Sequence, residues 1–208
     1  MSKSLREIYT DRYNSVLINL SKSLELDIKK LMTGRRRIDK ISVRPKSIER
    51  FLTKAKKLKD GKKKYIDPIN QIQDQIGTRI VNLYLSDIEE TSKFICKYYR
   101  PIEISLIVPD TEKEFDYFGK HFILLIPDHL KPEGKLLKKT PNFFELQVVT
   151  LFQHAWAEAN HDLGYKPEAP LTKDQIRKIA FTAAQAWGAD LIFDELQRES
   201  KDEDKRLS

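Results

Sequence analysis

Residues 143–149 read FFELQVV, and the alternation in that stretch decides the fold. Successive side chains of a strand point to opposite faces, so Phe144, Leu146 and Val148 share one face and Glu145 and Gln147 the other. The first face asks for a hydrophobic core. The second asks for solvent or for partners, because a carboxylate is costly to bury alone. Upstream, FILLI (122–126) and IEISLIV (102–108) read as buried strands, TRIVNLYL (78–85) is β-rich, and residues 38–44 look extended, with Pro45 holding Arg44 in extended geometry.

Helices fill the spaces between these strands. Ser4 and Glu7 form a capping box for a helix over about 4–32, with Leu5, Ile8, Tyr9, Tyr13, Val16, Leu17 and Leu20 at helical spacing. Ser47 caps a helix expected to reach Lys59, with Ile48, Phe51, Leu52, Ala55 and Leu58 towards the core. Ser86 with Glu89 opens a helix to about Tyr99, another starts near Leu151, and Thr172 with Gln175 begins a last one running to about Glu199. Flexible connections are expected at 60–64, 109–114 and 127–135 and after Glu199. The order describes an α/β (α+β) protein, a sheet flanked by helices.

The chain has 208 residues, enough for one ordinary domain with a real core. A single cysteine, Cys96, excludes an internal disulfide framework and a cysteine metal cluster. No apolar run approaches the roughly 18 residues that span a bilayer, and MSKSLREIYTDRYN has no apolar signal core. A cytoplasmic protein without a membrane partner is expected. The 38 Lys+Arg against 31 Asp+Glu give a charge of +7, which favours a polyanionic partner. The lysines and arginines gather at 35–37, 54–64 and 131–139.

Several stretches have the composition of a phosphate-handling site. Arg44 and Lys46 lie two apart at a strand exit, and Arg50 and Lys54 follow on the next helix. Cations at a strand–helix junction suit phosphates, although a solvated basic face has the same pattern. In DQIGTRIV (74–81), Asp74 precedes a strand, Gly77 permits close backbone approach and Arg79 follows. Either Asp74 is a turn residue paired with Arg79, or it is a Mg²⁺ ligand. Glu145 is the second carboxylate such an ion wants beside phosphate oxygens. Tyr117 offers a stacking surface for a base and His121 a donor next to a strand. His154, Glu158 and His161 share a helical face, but not in the H-E-x-x-H order of a zinc site, so Trp156, His161 and Tyr165 read as packing and hydrogen-bonding residues.

Taken together, RPKSIERFLTK, DQIGTRIV, DYFGKHF, FELQVVT and WAEANHDLGYK resemble the synthetase domain of the RelA/SpoT family over about residues 10–196. The resemblance implies a nucleotidyltransferase-like mixed sheet flanked by helices, in one synthetase domain over 1–208 without a hydrolase half. It implies transfer of the β,γ-pyrophosphate of ATP to the ribose 3′-hydroxyl of GDP or GTP, giving (p)ppGpp and AMP. It also implies residue roles. Arg44, Lys46 and Lys54 hold the ATP phosphates, Arg44 and Arg79 flank the adenine, and Asp74 and Glu145 bind Mg²⁺. Tyr117 stacks on the acceptor base, His121 lies near the acceptor phosphates and Gln147 orients the acceptor.

Departures from the family pattern concentrate on the acceptor side. Phe118 stands where a cation is usual, Gly119 where a hydroxyl is usual, and Val149 in place of Arg. Arg50 stands in place of Ser. Loss of acceptor cations suits a second expectation, a toxic small synthetase that pyrophosphorylates the 3′ CCA end of tRNA and is neutralised by an antitoxin protein. The basic runs at 54–64 and 131–139 would then follow the tRNA backbone. A non-catalytic nucleotide- or RNA-binding module is the third reading, against which the intact donor residues stand. Small family members often form homo-oligomers, and no sequence feature here fixes that state.

Overall fold

The computed structural model describes residues 3–108, 114–116, 119–164 and 170–207. In chain order its elements are α1 (Leu5–Arg12), a π turn (Tyr13–Leu17), α2 (Ile18–Leu31), β1 (Ile38–Pro45), α3 (Ile48–Ala55), β2 (Leu58–Lys59), β3 (Lys62–Lys63) and α4 (Pro68–Gln71). Then follow β4 (Ile76–Asn82), α5 (Leu85–Tyr98), β5 (Pro101–Ile107), β6 (Gly119–Leu125), two 3₁₀ turns, β7 (Phe143–Thr150), α6 (Leu151–Gly164) and α7 (Lys173–Leu207). Among the described residues no helix is long and apolar enough to cross a membrane.

Five strands form one mixed sheet in the order β1-β4-β7-β6-β5. β4 and β7 run parallel at its centre, and the other neighbours are antiparallel. The alternation in β7 is as the sequence dictates: Phe144, Leu146 and Val148 are fully buried, while Glu145 and Gln147 face the other way. Ile76 and Ile80 of β4 and Phe122 and Leu124 of β6 join the buried face. Tyr9, Leu17, Leu24 and Ile28 of the first helical rod complete this core, beside Phe51 of α3 and Ile95 of α5.

Three caps form as the sequence predicts, among them Ser47, whose Oγ accepts from the Arg50 N–H at the start of α3. Ser4 and Glu7 make the capping box of α1, and Thr172 and Gln175 exchange hydrogen bonds at the start of α7. Ser86 does not cap α5. The helix begins one residue earlier, at Leu85, so Ser86 lies in its first turn and its backbone N–H donates to Asp194 Oδ1 at 2.8 Å. On the same face of α7, Asp190 Oδ2 accepts from Thr150 Oγ1 at 2.8 Å. Two buried carboxylates thus dock α7 on the ends of two sheet–helix connections.

Other expectations are corrected. α3 stops at Ala55 rather than Lys59, because Asp60 (φ 51°) and Gly61 (φ 74°) both adopt left-handed backbone and turn β2 back on β3. That conformation belongs to tight two-residue hairpins, for which Asp-Gly is a favoured pair. Leu58 therefore lies on the hairpin, exposed, and not in the core. The strand 102–108 is not buried. As β5 it is the outermost strand, and Ile102, Ile104 and Leu106 are exposed. Residues 127–135 include short 3₁₀ turns, and α7 continues past Glu199 to Leu207.

Candidate active site

The polar face of the sheet forms the floor of a cleft of about 730 Å³. Register sets the floor out in rows: Ser42, Arg79, Gln147 and His121 align across β1, β4, β7 and β6, with Arg44, Gly77, Glu145 and Ile123 in the next row. A side chain at Gly77 would meet only the Arg44 carbonyl, at 4.0 Å, so no protein group demands glycine there. Bare backbone lines the cleft at that point instead.

One wall is the β1–α3 turn, carrying Lys46, together with α3, whose last turn carries Lys54. The segment before β4, carrying Asp74, lies against it. The first helix pins both. Tyr9 stacks on Phe51, ring centroids 3.6 Å apart, and its hydroxyl donates to the Lys46 carbonyl at 2.8 Å. Buried Arg12 donates to the Ile69 carbonyl and to Gln75 Oε1, and Lys46 N–H donates to the Gln75 carbonyl at 2.8 Å. Lys46 and Lys54 then converge on Asp74 Oδ2 at 2.9 and 2.7 Å. Burial alone would raise the Asp74 pKa, but the two ammonium groups outweigh it and hold the carboxylate below its ordinary value. Asp74 is therefore paired with lysines and not with Arg79.

Arg79 is the hub of the opposite side. It donates to Gln147 Oε1 at 2.9 and 3.1 Å, to His154 Nδ1 at 2.8 Å and to Glu158. Burial and the Arg79 charge lower the His154 pKa. Burial would raise that of Glu158, but Arg79 more than offsets it. Glu145 Oε2 accepts from Gln147 Nε2 at 3.0 Å, and Oε1 lies 3.5 Å from His121 Nδ1. α6 forms the second wall, bringing His154, Glu158 and His161 to the cleft.

The structure thus gathers Arg44, Lys46, Asp74, Arg79, Glu145 and Gln147 in one cleft, with Lys54 and His121 in contact with its carboxylates. Tyr117, Phe118 and Tyr165 lie outside the described residues. Trp156 is a packing and hydrogen-bonding residue as expected, its indole N–H donating to Thr182 and Ile179. His161 is not a packing residue. It is exposed at the cleft and contacts Arg50. The shared helical face of 154, 158 and 161 was the signal for this wall, and its partners are arginines.

The donor set fits a magnesium ion. Asp74 Oδ1 is buried with no hydrogen-bond partner, its neighbour Oδ2 taking both lysines. Among the described residues no group of three or more His, Cys, Asp or Glu side chains could hold a metal. One or two carboxylates, with the remaining oxygens supplied by phosphates and water, is how Mg²⁺ binds in phosphoryl-transfer sites.

The fold and cleft define the class: an α/β protein whose mixed sheet, flanked by helices, offers a polar face rich in cations. Similar architecture occurs in small alarmone synthetase 1 from Bacillus subtilis, at TM-score 0.75 and 20% identity over 92% of this chain and 99% of that one. A GTP pyrophosphokinase family protein from Streptococcus pneumoniae matches at TM-score 0.74 and 20% identity, covering 96% and 97%. The Bacillus subtilis enzyme bound to its product pppGpp matches at TM-score 0.73 and 20% identity, covering 91% and 98%. No curated protein matches the chain. Residues 43–169 match the family model described as the region found in RelA / SpoT proteins, and the chain belongs to that family.

Proposed function

We propose that the protein is an ATP-dependent pyrophosphokinase that transfers the β,γ-pyrophosphate of ATP to the ribose 3′-hydroxyl of GDP or GTP. The observation that carries this reading is the convergence of Lys46 and Lys54 on Asp74, across a cleft floored by Arg44, Arg79 and Glu145. The acceptor oxygen forms a bond to the β-phosphorus, the bond from that phosphorus to the α,β-bridging oxygen breaks, and AMP leaves with the electron pair. Such transfer depends on in-line positioning and on neutralising charge. Arg44, Lys46 and Lys54 bind the donor phosphates, Arg79 and Arg44 flank the adenine, and Gln147, with Tyr117 and His121, positions the acceptor. Asp74 and Glu145 would hold Mg²⁺, which when bound would neutralise charge developing on the phosphate oxygens. The product seen with the Bacillus subtilis relative supports a guanosine acceptor.

A tRNA 3′ end is the second reading. Lys56, Lys57, Lys59, Lys62, Lys63 and Lys64 are all exposed on and beside the hairpin that follows α3, a surface suited to a nucleic-acid backbone. An antitoxin partner belongs to that reading. A homo-oligomer is supported by α7, where Phe181, Ile192, Phe193 and Leu196 are exposed on several sides of one helix. The test is one assay with γ-³²P-ATP and Mg²⁺ against GDP, GTP and bulk tRNA in parallel. Label on a guanosine nucleotide, with AMP released, supports the proposal. Label on tRNA supports the second reading. No AMP from any mixture leaves a non-catalytic binding module.

A further inference from the structure

Arg79 directs nearly all of its donors at the protein. A guanidinium carries five N–H groups, all lying in its plane. Nε–H and one Nη2–H go to Gln147 Oε1, while the two Nη1–H groups go to His154 Nδ1 and to Glu158. Four of the five donors are thus engaged, by partners on β7 and α6. His154 and Glu158 lie four positions apart on one helix, so both reach the same side of the cleft. A guanidinium can only donate, so His154 Nδ1 accepts, and the neutral imidazole carries its proton on Nε2. The Arg79 side chain is 17% exposed and lines the cleft.

The lysines opposite differ. Lys46 and Lys54 each meet one carboxylate oxygen, and an ammonium group has three donors, so both keep donors for phosphate oxygens. An arginine with one donor left cannot clasp a phosphate through two parallel hydrogen bonds. What it still offers is the face of its planar π system, on which flat aromatic groups stack. We infer that Glu158 and His154 are positioning residues, which hold the Arg79 guanidinium by its rim so that it presents its face to the base of the donor nucleotide. The inference rests on the proposed function, in which Arg79 flanks the adenine. It gives α6 a part in donor recognition, through residues that act on Arg79.

The competing role for Glu158 is charge balance, a carboxylate that only tempers a basic cleft. Charge-matched variants separate the two. Glu158→Gln and Glu158→Ala remove the same charge, but glutamine keeps an acceptor oxygen for Arg79. Two probes are used with Mg²⁺ and without acceptor: α,β-methylene ATP, measured by calorimetry, and inorganic tripolyphosphate, which has no base, measured by competition against it. Positioning makes Glu158→Ala bind the nucleotide more weakly than Glu158→Gln by about fivefold or more, the scale of one weakened stacking contact. The two variants then bind tripolyphosphate alike. His154→Ala against His154→Asn, whose amide oxygen replaces Nδ1 as acceptor, gives the same split, and it carries the test if thermal unfolding shows that Glu158→Ala does not fold. Equal nucleotide binding in the alanine and glutamine variants identifies charge balance and overturns the inference, although the proposed function then stands. A deficit of the alanine variant that is as large for tripolyphosphate identifies general support of the cleft and also overturns it. An unaltered chain that does not bind the nucleotide analogue removes the proposed function and this inference together.

Discussion

Asp190 should weaken the protein at neutral pH, and replacing it with asparagine should strengthen it. Its carboxylate is buried under α7 with Oδ2 on the Thr150 hydroxyl, while Oδ1 has no hydrogen-bond partner. Burial raises its pKa from 3.8 to about 6. The Thr150 and Gln153 hydrogen bonds oppose the rise, and the nearby Asp194 charge adds to it. The folded state therefore binds this proton more tightly than the unfolded chain does. Where the folded state holds more protons, stability falls as pH rises. The contribution is complete below pH 4 and is lost as pH rises through about 6. A shift of roughly two units corresponds to about 3 kcal/mol. An amide cannot ionise, so Asp190→Asn escapes that penalty, less about 1–2 kcal/mol for any amide hydrogen left unpaired. Urea unfolding of both chains from pH 4.5 to 8 isolates the effect, since titrating groups that do not interact with residue 190 cancel in the difference. The difference should move by about 2 kcal/mol in the variant's favour between the acid and alkaline ends, because the amide penalty does not vary with pH. A stability difference that stays flat across this range, or one that moves against the variant as pH rises, refutes the reasoning.

The remaining predictions concern the cleft and the surface. Asp74→Asn and Glu145→Gln should each cut transfer by about three orders of magnitude or more while far-ultraviolet circular dichroism is unchanged, as expected when a group that neutralises transition-state charge is lost. Near-normal AMP release in either variant withdraws that residue from the metal site. Changing Lys62, Lys63 and Lys64 together to Gln should lower kcat/KM for tRNA by at least tenfold and for GDP by less than twofold, and equal effects would make the hairpin only a solvated surface. Phe181→Glu with Ile192→Glu should shift the chain from an oligomer to a monomer in light scattering. An unaltered chain that is already monomeric at 100 µM (an experimental choice at roughly a hundred times a micromolar Kd) removes the homo-oligomer reading.

Legibility in the sequence followed the range of the cause. The two-residue period of FFELQVV fixed both faces of β7, because burial and alternation are local. The caps at Ser4 and Thr172 were readable for the same reason. The cap expected at Ser86 fails because the helix already begins at Leu85, which leaves Ser86 inside the first turn with its N–H on Asp194, far along the chain. β5 has the composition of an interior strand, and only the order of the sheet reveals it as an edge. At the site, the residue types of Asp74, Arg79 and Glu145 were visible, but their pairings were not. Arg79 meets Glu158 across 79 positions, and Asp74 prefers Lys54, which lies 20 positions before it, to the nearer Arg79. The Asp60-Gly61 turn was local and legible by the rules of hairpins. The apolar spacing that carried α3 on to Leu58 obscured it.

The parallel pairing of β4 with β7 has a consequence for how the molecule comes into being. Arg79 and Gln147 are neighbours in the sheet but 68 positions apart in the chain. The intervening α5, β5 and β6 must find their places around that closure, and contacts over such separations are slow to form. A nascent chain that has not yet emerged as far as Phe143 has Asp74 without the strand that brings Glu145 opposite Gly77. A slip of one position in β7 would turn Glu145 into the core and Phe144 into the cleft. The cleft is therefore completed late in folding, and an incompletely synthesised chain lacks the site proposed for pyrophosphate transfer.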